Sequence, residues 1–166
     1  MPRLKHSQPD PLSWHRVPKP MPMASILYHW QRLEENPNAY DDFKVDWPTF
    51  VSWMRWLPTY EIGDPPVGLF TFVPAPGGNA WVQGAMYDWK YEGRESVFLS
   101  LARDVMERGE AHRVTSTVNA DRGVARDLMI RMGFTKEGTI RMAGLREQDV
   151  EVWALYKEGV WQSQQE

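Results

Sequence analysis

All thirteen prolines of this 166-residue chain lie at or before Pro76, and the last ninety positions hold none. Proline fixes φ and removes a backbone donor, so it stops helices and is kept to turns and strand edges. The first part of the chain can therefore form only short, punctuated elements. Residues 77–166 are free to run in longer regular ones. The length favours one hydrophobic core over several.

Hydrophobic residues are 42% and charged residues 25%, near globular averages. No apolar run is long enough to cross a bilayer. The start, Met1-Pro2-Arg3-Leu4-Lys5-His6, is basic but leads into no apolar stretch, so no secretory signal is read there. The absence of cysteine excludes disulfides, thiolate metal sites and a cysteine nucleophile, and fits a cytoplasmic location. A net charge of −3 argues against nucleic acid as the main partner, because phosphate binding needs a basic face. No His, Asp or Glu pair has ligand spacing, so no metal site is expected.

Residues 1–20 carry Pro2, Pro9, Pro11, Pro18 and Pro20 and read as an extended arm, with one short strand near residues 14–17. A single domain is expected over residues 21–166. Ile26, Leu27, Trp30 and Leu33 predict a helix over residues 23–35, ended by Asn36-Pro37-Asn38. Asp46 predicts an N-cap, followed by Pro48 in the first turn and a helix that Pro58 stops. The first clear strand is residues 67–73, and Pro76-Gly77-Gly78-Asn79 turns it into a partner over residues 80–87. Phe98, Leu101, Ala102 and Val105 form the stripe of a helix over residues 95–108, capped by Gly109. A strand over residues 112–118 follows. Asp121 then predicts the cap of a helix that buries Val124, Ala125, Leu128, Met129 and Met132 and ends at Gly133. Residues 139–142 and 150–156 read as two further strands. The order from Val67 is β-β-α-β-α-β-β, a mixed sheet with helices on its faces.

This order, with its motifs, resembles the GNAT acyltransferase fold. The turn Lys90-Tyr91-Glu92-Gly93-Arg94-Glu95 opens a helix, as a Gln/Arg-x-x-Gly-x-Gly/Ala turn does in that superfamily. Gly133-Phe134 follows forty positions after Gly93. Gly133-Phe134-Thr135-Lys136-Glu137-Gly138, followed by Arg141, is similar to the Gly-Phe-x-x-Glu-Gly-x-x-Arg pattern of the branch that includes ribosomal-protein N-terminal acetyltransferases. The resemblance covers residues 67–161 and implies an α/β fold, with a mixed, mostly antiparallel sheet and helices on both faces. Residues 67–161 would be the CoA-binding half, and residues 21–66 would supply acceptor-side helices.

The resemblance implies acetyl-CoA as cosubstrate and an amine as acceptor: a protein N-terminus, a lysine or a small molecule. A helix N-terminus with free N–H groups is a natural seat for a pyrophosphate. Gly93, Arg94, Glu95 and Ser96 would supply that seat, and Arg122 is a further candidate contact. The strand end at Met86, Tyr87 and Asp88 would pair with the pantetheine arm and offer an N–H to the thioester oxygen. Tyr87 and Asp88 are the candidate catalytic bases, and Glu61 is an alternative. The chain departs from the family at three places. Met129 stands where a tyrosine often protonates the leaving thiolate, Arg122 replaces a common asparagine, and Glu95 puts a carboxylate in the phosphate turn.

Each of these residues also has a plain packing role. Glu137 is expected to pair with Arg141 at a strand edge. His112 is expected to face solvent. His29, between Tyr28 and Trp30, reads as packing or as a substrate contact. Trp30, Trp47, Trp53 and Trp56 read as core, as an aromatic acceptor pocket or as a docking surface. A second functional reading stays open: a catalytically inactive GNAT-fold protein with a docking role, for example a phage virion or accessory protein.

Overall fold

A computed structural model of the chain describes residues 13–36, 45–87, 94–144 and 147–157, without the side chain of Arg94. Among them are strands β1 (Trp14–Arg16), β2 (Thr59–Ile62), β3 (Gly68–Ala75), β4 (Asn79–Met86), β5 (Arg113–Asn119), β6 (Thr135–Ile140) and β7 (Val150–Tyr156). The helices are α1 (Met23–Glu35), α2 (Trp47–Trp56), α3 (Arg94–Glu107) and α4 (Gly123–Arg131). The strands form one sheet in the order β1-β2-β3-β4-β5-β7-β6. Every neighbouring pair is antiparallel except β4 with β5. The connection through α3 carries the chain back to the start of the sheet, and this makes the β4–β5 pair parallel.

Alternation along the strands feeds two cores, one on each face. Phe72, Val82, Met86, Val114 and Leu155 pack against Phe98, Leu101 and Val105 of α3. Leu69, Ala85 and Tyr87 pack against Ile26 and Leu33 of α1 and Phe50 and Met54 of α2. Burying these side chains contributes about 1.5–3 kcal/mol each, the main favourable term. Residues 13–20 meet the sheet through β1. Arg16 Nη1 donates to Tyr60 Oη at 3.1 Å, and Tyr60 Oη donates to Asp104 on α3 at 2.6 Å.

The expected punctuation is largely present. Asp46 Oδ1 accepts from the Thr49 N–H at 2.8 Å and caps α2. The hairpin closes at Ala75 and Asn79. Gly78 there has φ of 72°, and a Cβ would lie 2.2 Å from the His112 ring, so a side chain at that position would be strained and would displace His112. His112 is exposed. Gly133 ends α4 with φ of 84°, its N–H donating to Ile130 O at 3.0 Å.

Four expectations are corrected. The strand β2 comes before residues 67–73, where the first clear strand is expected. It has only four residues between Pro58 and Gly63, and all four are buried, so it shows no alternation. Asp121 does not cap α4. The N-cap is Arg122, and it makes no side-chain capping bond. The face of α4 is not a buried one. Met132, just beyond it, is buried and Ala125, Leu128 and Met129 are half-buried, but Val124 is 73% exposed. Glu137 pairs with Arg113 and accepts from Tyr156 Oη, not with Arg141. A register shift between Lys136 and Gly138 places Glu137 at an irregularity in β6.

Candidate active site

The parallel ladder between β4 and β5 is short. It joins Asn79 to Arg113, Ala80 to Val114 and Trp81 to Thr115, and then the strands part. Beyond that point β4 stays bound to β3 as far as the Gly68–Met86 pair, while β5 stays bound to β7 as far as Asn119–Val150. Each strand is held by its outer neighbour, so the sheet opens between them.

A cleft occupies the opening and encloses about 880 Å3 of empty space, counting the part open to solvent. Phe70, Val82 and Phe98 line its inner wall, and Ala125, Leu128 and Met129 of α4 line the other. This explains the half-buried face of α4, which lies over space where a core would otherwise be. Among the described lining residues, Arg122 is the charged one. The Tyr87 N–H donates to Val67 O at 2.8 Å, toward β3. Peptide groups along an antiparallel strand alternate in direction, so those of Met86 and Gly84 turn toward the opening. An apolar slot with backbone groups along one wall suits a long, weakly polar ligand with an anionic end.

The predicted site residues separate into four groups. Met86 and Arg122 line the cleft. Asp88 and Gly93 lie outside the described residues, and Arg94 opens α3 with its side chain undescribed. Glu95 and Ser96 stand in the first turn of α3. The Glu95 carboxylate accepts from Arg131 Nε at 3.0 Å and Nη2 at 2.9 Å, so a cation of α4 offsets the charge at the start of α3. Ser96 is exposed.

Tyr87 lies on the opposite face of β4 from Met86, inside the core under α1. Its Oη bonds His29 Nδ1 at 2.7 Å. His29 Nε2 bonds Glu61 Oε1 at 2.6 Å, and Glu61 Oε2 meets His15 Nε2 at 2.8 Å. His29 is fully buried, Tyr87 and Glu61 are buried, and the His15 side chain is half-exposed. Burial pushes the Glu61 carboxyl up, but the hydrogen bonds and charges of His29 and His15 outweigh it and hold it below the usual range. Burial, with Tyr28 and Glu61 beside it, pushes the Tyr87 phenol well above its usual value. Sequence reasoning considered Tyr87, His29 and Glu61 singly and passed over His15. The available signal was a histidine between Ile26 and Leu33 on the buried stripe of α1. The tryptophans divide: Trp30 packs edge-on to Trp47 at 5.2 Å, and Trp53 flanks the same core, while Trp56 is 63% exposed.

No family model matches the sequence, and neither does any curated protein. Solved structures do match. The ribosomal-protein-S5-alanine acetyltransferase of Vibrio fischeri has a TM-score of 0.69 at 10% identity, covering 92% of this chain and 96% of its own. The acetyltransferase of Salmonella typhimurium that modifies the N-terminal serine of ribosomal protein L7/L12 has a TM-score of 0.67 at 15% identity, covering 89% and 95%. A ribosomal L7/L12 α-N-protein acetyltransferase solved in complex with coenzyme A has a TM-score of 0.65 at 16% identity, covering 87% and 99%. Identities this low establish architecture, and on that ground the chain has the GNAT acetyltransferase fold.

Proposed function

We propose that the protein is an N-acetyltransferase that moves the acetyl group of acetyl-CoA directly to an amine. The observation that carries this reading is the parting of β4 from β5, which opens an apolar slot with Arg122 on its wall. Residues 21–166 act as one domain in this reading, with residues 67–161 as its CoA-binding half and 21–66 on the acceptor side. The Gly84 and Met86 peptide groups would pair with the pantetheine arm, and the Met86 N–H would meet the thioester oxygen. Gly93, Arg94, Glu95 and Ser96 would offer N–H groups to the pyrophosphate, with Arg122 adding a cation. The Glu95–Arg131 pair offsets the carboxylate beside that seat. Tyr87 and Asp88 are the base candidates, and Tyr87 has the described partners to act.

The acceptor in this reading is an amine, with a protein N-terminus favoured by the likeness to enzymes named for that substrate. The reading implies the cytoplasm, and no described helix is long and apolar enough to cross a membrane. A closed or acid-lined groove would favour the rival docking protein. Among the described residues the groove is open, and the charged side chain on its wall is cationic.

Calorimetry and thermal shift with acetyl-CoA test the proposal, followed by thiol release with peptides bearing free N-termini, lysine side chains and small amines. Binding and an amine-dependent release of thiol are expected. No thermal shift at millimolar acetyl-CoA sinks it.

A further inference from the structure

We infer that Tyr87, His29 and Glu61 form a buried acid–base relay for the amine end of the proposed transfer, Tyr87 Oη exchanging the proton and His29 and Glu61 positioning it. The inference rests on the acetyl-transfer reading and adds to it two residues from the first part of the chain. The relay crosses four elements. Tyr87 follows β4 directly after Met86 of the cleft, His29 stands on α1, Glu61 on β2 and His15 on β1.

Packing alone does not account for it. The stripe of α1 that faces the sheet is Ile26, His29 and Leu33, and an apolar side chain at the middle position would extend the core. A buried histidine–carboxylate pair carries a desolvation cost that apolar residues of similar volume avoid. Retaining it is typical of sites where proton position matters.

The geometry admits a continuous relay. Glu61 is held ionised by His29 and His15, so both of its oxygens accept. In the proposed relay His29 is the neutral ring that presents Nε2–H to Oε1, which leaves Nδ1 as a lone pair. In that tautomer Tyr87 donates its O–H to Nδ1. In that arrangement the phenol oxygen keeps lone pairs of its own. The other charged or titratable groups near the relay are Tyr28 and Arg32 of α1, which act on Tyr87, and Lys19, on which Glu61 acts. His15 occupies the second oxygen of Glu61 and keeps the first aimed at His29.

In the transfer the amine nitrogen bonds the thioester carbon, the C–S bond breaks, and its electron pair leaves on sulfur. The proton lost from nitrogen passes to Tyr87 Oη while the phenol's own proton passes to His29 Nδ1. The resulting imidazolium lies against the Glu61 carboxylate. The same path then returns one proton to the thiolate, so the products are amide and thiol and the relay is restored.

Three measurements on the full chain test this. Histidine-ring nitrogen NMR at pH 8, assigned by elimination with His6→Ala, His15→Ala and His112→Ala, should show His29 protonated at Nε2. A ring protonated at Nδ1 overturns the relay with no acceptor needed. Calorimetry should give Tyr87→Phe and Glu61→Gln a Kd for acetyl-CoA within about twofold of wild type, whereas their kcat should fall about 100-fold at unchanged KM for acetyl-CoA. An unchanged kcat in Tyr87→Phe overturns it. Wild type that fails to bind acetyl-CoA defeats the transferase reading itself, a separate result. Where acetyl-CoA binds but no tested amine turns over, the tautomer decides.

Discussion

Arg131, at the end of α4, donates through both Nε and Nη2 to one carboxylate oxygen of Glu95, in the first turn of α3. The two residues are thirty-six positions apart, and both are partly exposed. Without this pair, Glu95 would place an unbalanced negative charge beside the N–H groups proposed to seat a pyrophosphate. Arg131→Ala should therefore weaken acetyl-CoA binding about two- to fivefold, the size of a screened charge effect at a helix end. The double variant Glu95→Ala/Arg131→Ala should recover the loss. Calorimetry at low and high salt checks this, and the effect should shrink as salt rises. A single variant that binds as well as wild type at low salt would show that Glu95 is no obstacle.

Ala125 lies on the half-buried face of α4 and lines the cleft. Ala125→Trp adds volume to open space, not to a filled core, so the fold should survive. Thermal unfolding should stay within a few degrees of wild type. The stabilisation by acetyl-CoA should vanish. A variant that keeps the ligand-induced shift would mean the ligand lies elsewhere.

Gly133 has a left-handed backbone at the end of α4, and a Cβ there would meet only Leu155 at 4.0 Å. Strain alone should therefore set the cost of Gly133→Ala, about 1–2 kcal/mol. Urea denaturation should read that loss as a lower midpoint at unchanged slope. A change in slope would point to a broader rearrangement.

Lys19 donates to Met54 O at 2.6 Å and to Thr59 Oγ1 at 2.9 Å. Burial, with Arg16 nearby, lowers its pKa from 10.5 to about 8. The folded state thus disfavours the charged form. The destabilising contribution is fully present below about pH 8 and is lifted as pH rises toward 10.5, because the unfolded chain binds more protons in that window. Stability measured by denaturant from pH 8 to 10 should fall less steeply in wild type than in Lys19→Met. Because Lys19 is only half-buried, the difference in slope should be modest. Parallel curves would show that its charge is solvated.

Much of the fold was legible because local rules set it. The proline distribution, the Asp46 cap, the Pro76–Asn79 turn and the stripe of α3 each act within a few residues, and each appears where expected. The strand β2 was not legible, since four residues buried on both faces carry no periodicity. The face of α4 was misread for a related reason. An apolar stripe signals proximity to something apolar and does not distinguish a filled core from the wall of a cleft.

The candidate site divides along the same line. The sequence by itself determined the order of elements from β3 onward, the helix α3 and the strand end at Met86 and Tyr87. Only the tertiary structure decided that β4 and β5 part after three pairs, that Arg131 reaches Glu95 and that Tyr87, His29, Glu61 and His15 join. The physical reason is range. Capping, turns and amphipathic stripes are settled by neighbours along the chain. A strand's departure depends on which outer strand holds it, and a hydrogen bond between α1 and the end of β4 spans fifty-eight positions that only packing brings together.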